Sequence, residues 1–474
     1  MIHQFLKEGS IYTLSNFATK GISLLLIPFY TTYFSPADYG ILDYLSVLSG
    51  VINAIFSLQI AHGVSRYLGD DSLSELEKRK LGATGINAIF IVYFLTAVFL
   101  LLTQHFWKTI SETSSNEFTD SIFQLMIINT CINALFFQLG IHLRFRRKTV
   151  AFAWLSFIQS LANIALILTL VIYGQMGIEA IYWASTIIAP FIVGFQLYLL
   201  RKEYLFYLGW KELKMILQFS IPLIPAALAM LALDITDRFV IAQKISLNEL
   251  GVYSLGAKFP SVLTLLIASF SMALAPIVIE NYKLESTKIK LQNLVRNYFI
   301  IGGILVFILA LFSQETILVF TNSNYFEAHK IMPLLYLIAF INGISMFSLG
   351  IFLSNKTYIQ SIINTLAAVL NLLLNLWLVP IYGILGAAIS TLIAISLNVI
   401  LLFFFSTRFY KFISFSTIAF YLLALTSIIG FVSLTAYIKV DFYIFLVFKI
   451  LVSLVLIFFL WKHFQKNIRH GISK

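Results

Sequence analysis

The sequence predicts an all-α integral membrane protein of about fourteen transmembrane helices, and three observations predict it. Of its 474 residues, 60% are hydrophobic and 11% charged, with a mean hydropathy of +0.92, far below the roughly 25% charged residues of a soluble domain. The apolar residues fall into runs of about 20, the length that crosses about 30 Å of hydrocarbon. Lysine and arginine then alternate in abundance between successive connections, as topology requires.

The runs are approximately Ile11 to Tyr33, Ile41 to Val64, Leu81 to Leu102, Ile122 to Ile141, Val150 to Tyr173 and Ile178 to Leu200. After a charged connection come Met215 to Ile241, Gly251 to Ile279, Val295 to Phe312, Ile331 to Leu353, Tyr358 to Val379, Ile384 to Phe405, Ile413 to Tyr437 and Phe442 to Leu460. The start, MIHQFLKEGS, has no small-residue cleavage site before its apolar run and reads as an uncleaved first span.

With the N-terminus placed in the cytoplasm, inside connections hold 24 of the 32 Lys and Arg. Outside connections hold only Lys108, Lys244, Lys330 and Lys439. An even number of spans with both termini inside fits this bias. The net charge of +11 is therefore topogenic, and no nucleic-acid partner is needed to explain it. The single cysteine, Cys131, excludes an internal disulfide and offers no metal-site spacing.

Two anchors reveal an internal repeat. SPADYGIL from Ser35 matches SLNELGVY from Ser246 at an offset of 211, pairing Ser35 with Ser246, Asp38 with Glu249 and Gly40 with Gly251. IYGQMGIEA from Ile172 matches IYGILGAAI from Ile381 at an offset of 209. Nearly equal offsets imply two homologous six-helix lobes of one topology with two helices appended, an arrangement that places a substrate path between halves. The expected boundaries are 1–205 for spans one to six, 206–410 for spans seven to twelve, and 411–474 for the last two spans and a basic tail.

Charge inside an apolar run is costly and marks function by default. Lys20 lies nine residues into span one, about 14 Å deep at 1.5 Å per residue. Asp234 and Arg238 share a helix face in span seven and can pair, with Asp237 on the other flank. Lys258 follows in span eight. Arg66 lies four residues after His62 at the end of span two, where a topogenic role competes with a functional one. Against these stand structural readings: a packing ion pair for Asp234 and Arg238, and snorkelling for Lys258. Asn163, Asn371 and Asn375 read as interhelical hydrogen-bond partners, and Lys449 and Glu179 remain unassigned. Prolines 222 and 225 interrupt span seven and favour a kink beside a cavity. No phosphate loop, H-E-x-x-H or paired CxxC occurs, and the outside connections are too short for a catalytic domain, so the chain reads as a non-enzyme that needs no cofactor or metal.

The segments GISLLLIPFYTTYFSPADYGILDYL (from Gly21), GVSRYLGDD (from Gly63), IPLIPAAL (from Ile221), DRFVIA (from Asp237), LGVYSLGAK (from Leu250) and NLWLVPIYGILGAAISTLIA (from Asn375) carry a resemblance over essentially the full length. The chain resembles the polysaccharide-transporter branch of the multidrug/oligosaccharidyl-lipid/polysaccharide exporter superfamily, and more narrowly Wzx-type O-antigen or repeat-unit flippases. That resemblance implies a MATE-like pair of lobes in a bacterial inner (cytoplasmic) membrane. It implies alternating-access translocation of an undecaprenyl-pyrophosphate-linked oligosaccharide for lipopolysaccharide biosynthesis, beside membrane lipids and the polymerase and chain-length proteins of the same pathway. Basic residues of spans one, two, seven and eight line the cavity in such proteins, which assigns substrate binding to Lys20, Arg66, Arg238 and Lys258. Asp234 and Asp237 are the expected carriers of a coupling H+ or Na+. Three rivals stand beside this reading: a peptidoglycan lipid-precursor flippase, a cation-coupled drug exporter, and a membrane-embedded polymerase or transferase.

Overall fold

A bilayer offers the backbone no solvent partner, so apolar spans satisfy their polar groups internally as helices. The computed structural model describes residue 21 and residues 24–70, 72–111, 119–146, 148–201, 206–354, 356–435 and 442–472, and no strand occurs among these described residues. The chain divides into two compact units, Met1–Ser254 and Leu255–Lys474.

In the first unit, α1 (Ile27–Tyr33) is the end of span one; most of that span, with Lys20, lies outside the described residues. Helix α2 (Pro36–Phe56) starts at a capping box in which Ser35 and Asp38 exchange hydrogen bonds. Span two then breaks at Leu58 and Gln59, whose φ angles of 45° and 50° lie in a region that costs a residue with a Cβ roughly 1–2 kcal/mol. It resumes as α3 (Ile60–Leu68). Next come α4 (Glu75–Leu102), capped by Ser74 with Glu77, the short α5 (Gln104–Ser111), α6 (Asp120–Phe145), α7 (Thr149–Ile172) and α8 (Glu179–Leu200). Both α6 and α7 pack on α8. Inside that packing the Asn129 amide donates to the Thr186 hydroxyl at 2.7 Å.

Span seven is also broken. Helix α9 (Trp210–Ser220) passes through a single 3-10 turn, Ile221–Leu223, into α10 (Ile224–Lys244), and the two halves are bent by 46° where Pro222 and Pro225 stand. The proline rings remove two backbone donors and fix the site of the bend. Helix α10 packs on α2 and α9 packs on α3, so two antiparallel broken spans lie side by side with their breaks at one level. Helix α11 (Leu247–Asn281) opens in the first unit and passes beyond Ser254.

In the second unit, α12 (Glu285–Asn297) runs through a π-turn, Tyr298–Gly302, into α13 (Gly303–Leu311). Then follow α14 (Ser313–Phe320), a 3-10 segment at Ser323–Lys330, α15 (Met332–Ile344) and α16 (Leu349–Leu353). Helix α17 (Thr357–Phe409) has 53 residues, about 80 Å at 1.5 Å per residue, too long for a single crossing of about 30 Å. Gly383 interrupts it with φ 61° and ψ −142°, so α17 is spans eleven and twelve joined at a glycine that alone tolerates the turn. The matching turn of the first half also uses positive φ, at Gln175 (φ 51°). Helices α18 (Phe415–Thr435) and α19 (Phe442–Ile472) complete the chain.

Among the described residues, eleven helical stretches are long and apolar enough to cross a membrane, or twelve if the bent α9–α10 pair is one span. They make the chain a multi-pass membrane protein. The span starting at Met332 has 67% of its apolar window buried and is the centre of the second unit's core, whereas the window of α19 is only 11% buried and faces outward.

Candidate functional site

The site grows from the repeat. Ser35 caps α2 through Asp38, and Ser246 repeats the move, its hydroxyl accepting from the Glu249 N–H at 3.1 Å. The two helix starts meet. A Cβ on Gly40 would lie 1.8 Å from the Leu247 carbonyl, and one on Gly251 would lie 1.7 Å from the Pro36 carbonyl. Pro36 and Leu247 are themselves equivalents at the offset of 211, so the contact is reciprocal about a local pseudo-twofold. Only glycine permits this approach.

One turn further into each helix the same offset carries chemistry. Ser254 Oγ donates to Asp43 Oδ2 at 2.6 Å across that junction. Asp43 Oδ2 also lies 3.0 Å from Arg238 Nε. This is a charge contact whose N–H is not aimed along it, since Nε finds no directed hydrogen bond. Arg238 Nη1 donates to the Asp234 main-chain carbonyl at 3.2 Å. Asp237, 7% exposed, accepts from the Arg238 N–H at 2.8 Å and from the Tyr253 hydroxyl. Tyr44, beside Asp43, accepts from Gln243 Nε2 at 3.1 Å. The result is one guanidinium set among two carboxylates, a tyrosine and a serine in the span-crossing parts of α2, α10 and α11.

The charge partner of Arg238 is therefore Asp43, not the Asp234 carboxylate that the spacing of four suggested. The reason is the crossing of α2 over α10, which brings a carboxylate from another helix closer than one on the same face. Asp234 is exposed and makes no ion pair among the described residues. Arg66 stands apart on α3 beyond the break, exposed and 4.0 Å from Asp70. The Ser72 hydroxyl and N–H hold the Asp70 carboxyl below its ordinary range. Lys258 is exposed on α11 in the second unit, and Lys20 lies outside the described residues.

Asp43, Tyr253 and Ser254 were not anticipated from the sequence. The available signal was Asp43 itself, a carboxylate inside the apolar run of span two, at the repeat offset from Ser254. In the second unit Asn371 donates to Thr391 across the α17 kink at 3.1 Å, as an interhelical partner should. Asn375 instead turns back to the Asn371 carbonyl at 2.9 Å. Lys449 is 3% exposed and salt-bridged to Glu315 at 2.9 Å, and Glu179 accepts from Thr119 and Ser121. No group of three or more His, Cys, Asp or Glu able to hold a metal occurs among the described residues.

Comparison with known proteins places these features in a common frame. "Lsg locus putative protein 1" of Haemophilus influenzae is 23% identical over 399 residues, covering 80% of this chain and 94% of that one. The solved structure of "Lipid II flippase MurJ, inward closed conformation" superposes with a TM-score of 0.71 at 15% identity, covering 96% of this chain and 99% of that one. An inward-facing multidrug resistance MATE family transporter of the MOP superfamily follows at 0.66 and 13% identity, covering 88% and 96%. These likenesses establish the two-lobed, MATE-like helical fold. The model of the polysaccharide biosynthesis protein family matches residues 5–282, more than half of the sequence, and the chain belongs to that family.

Proposed function

We propose that the protein is a flippase that carries an undecaprenyl-pyrophosphate-linked oligosaccharide repeat unit across the bacterial inner membrane, with both termini cytoplasmic. The observation that carries this reading is Arg238, a guanidinium held within a bilayer-crossing helix with its side chain 30% exposed. A pyrophosphate crossing an apolar medium needs such a partner, because an uncompensated charge there is too costly, and arginine can take two phosphate oxygens at once. Membership of a polysaccharide biosynthesis family supports the saccharide cargo, and the fold shared with a lipid II flippase supports a lipid-borne one.

On this reading the lobes 1–205 and 206–410 alternate access about the site while the lipid tail stays in the bilayer. Lys20, Arg66 and Lys258 extend the cationic path, and Asp234 or Asp237 carries a coupling H+ or Na+. Of the two, Asp234 is the better carrier, because Asp237 is already saturated by Tyr253 and a backbone N–H. The product would pass to the polymerase and chain-length proteins of the same pathway.

Translocation of lipid-linked repeat units, scored in cells or proteoliposomes, is expected to fall at least tenfold in Arg238→Ala and in Lys20→Ala with membrane levels of protein unchanged, the loss of one charge-assisted contact. Wild-type flipping in both would end the cationic-path reading. The resemblance to the lipid II flippase favours one second reading, transport of the peptidoglycan precursor. Complementation of conditional mutants in each pathway separates the two.

A further inference from the structure

The second unit holds a cavity that the proposed transport route does not use. It has a volume of about 550 Å3 and lies between the last turns of α12, the connection that follows Arg408, and the first turns of α18. Gln292 Nε2 donates to the Phe412 carbonyl at 2.6 Å, and the Tyr410 hydroxyl donates to the Tyr282 carbonyl at 2.8 Å, so the connection is pinned on both sides of Lys411. Tyr421 packs against Phe299 with tilted rings whose centroids are 4.8 Å apart, which fixes the floor.

Its charges are set differently from most of those around it. Three cations at this end of the unit have partners: Lys288 has Glu285 at 2.8 Å, Lys356 lies over the Phe409 ring at 4.3 Å and Arg408 over the Phe404 ring at 4.3 Å. Arg296 and Lys411 line the cavity together, with no carboxylate within ion-pair distance of either among the described residues. Asn293, Ser414 and Thr417 add amide and hydroxyl donors to the same wall. Topogenic charge alone would need neither a cavity nor convergence.

We infer that this cavity binds the phosphate group of an anionic lipid from the surrounding leaflet. Two cations with hydroxyl and amide donors match a phosphate diester, and the size suits a lipid head group. A lipid is favoured over a free anion because the polar rim meets an apolar path. Phe412 and Ile413 line the cavity itself, and α18, which supplies Thr417 and Tyr421 to it, exposes Phe420 and Leu423 (67% and 70%) on its adjoining outer flank, where acyl chains lie. The cavity sits where Lys and Arg crowd the end of the unit, the side that the positive-inside rule puts against the anionic cytoplasmic leaflet.

The full-length protein, purified in detergent with phosphatidylglycerol or phosphatidylcholine added, is tested by native mass spectrometry. Retention of phosphatidylglycerol is expected to exceed that of phosphatidylcholine and to fall about 25-fold in Arg296→Gln/Lys411→Gln, near fivefold for each cation. Lys290→Gln, a basic residue of the same helix outside the cavity, should retain it fully, and Arg296→Lys should keep part of it. Undiminished retention by the double variant, or equal loss in Lys290→Gln, overturns the site. Displacement of the lipid by millimolar inorganic phosphate would overturn the lipid assignment and leave a soluble-anion site. Unlike the proposed transport, this binding requires no flipping and is read without it.

Discussion

Two ion pairs whose cations lie inside spans invite comparison: Asp43 with Arg238 in the first unit and Glu315 with Lys449 in the second. Lys449 is 3% exposed, reaches both carboxylate oxygens at 2.9 and 3.1 Å, and lies 4.5 Å over the Phe445 ring. Every favourable contact of that ammonium is taken. Arg238 keeps 30% exposure, touches Asp43 through one poorly aimed contact, and leaves Nη2 without a partner among the described residues. A saturated pair fastens helices, and an unsaturated one can still receive a ligand. Position in the sequence does not distinguish them, since both cations lie in apolar runs.

The contrast can be broken most forcefully at Lys449. Lys449→Ala strands Glu315 in an apolar setting and should lower unfolding stability by about 3–5 kcal/mol, seen as a large fall in the melting temperature of the detergent-purified protein. Lys449→Met with Glu315→Leu should recover most of it, because removing both charges removes the penalty. A Lys449→Ala variant that melts like the parent would mean that the pair fastens nothing.

The glycine junction comes next. Gly251→Ala forces a Cβ to within 1.7 Å of a backbone carbonyl, which can be relieved only by parting α2 from α11, at about 1–3 kcal/mol. Gly50→Ala is the control: its Cβ would meet the end of the Leu231 side chain at 3.3 Å, a contact that rotates away. Equal melting temperatures for the two variants would refute the close packing of the repeat. Arg238→Ala should cost less stability than Lys449→Ala, since its side chain is 30% exposed and only loosely paired, yet cost more in transport. That inversion is what separates the two pairs.

The fold was largely legible because its signal is additive. Thirteen apolar runs from Ile41 onward each meet the length requirement on their own, and the Ser35 and Ser246 motifs declare the repeat. The breaks were half legible: Pro222 and Pro225 announce theirs, but nothing in Leu58-Gln59 announces a left-handed pair, because neither side chain favours it and the packing of α2 and α3 against α10 and α9 imposes it. The site was legible in its cation and obscure in its partner. A spacing of four on one helix is visible in sequence, whereas the crossing that brings Asp43 to Arg238 depends on a backbone approach allowed by Gly40 and Gly251. Asp43 could have been found by asking which residue occupies the position of Ser254 in the other half.

The smallest expected effect uses pH to act on the second pair alone. His329 lies in the 3-10 segment before α15, its Nδ1 donating to the Phe326 carbonyl at 2.6 Å. Burial foremost, with the charges of Lys330 and Lys449 adding to it, lowers its pKa below the ordinary value of a histidine. The folded state thus binds the proton less readily than the unfolded chain, whose histidine titrates near 6.5. Stability is then constant above that value and declines as pH falls through it, because acid pulls the equilibrium toward the form that takes up the proton. In the folded protein the same proton would set a second positive charge near Lys449, opposing the tie to Glu315. The melting temperature should therefore drop modestly between about pH 7 and pH 5, and His329→Gln should flatten that part of the profile. If the drop persists unchanged in His329→Gln, the acid sensitivity belongs to groups outside this corner, and the tie between Glu315 and Lys449 is insulated from its surroundings.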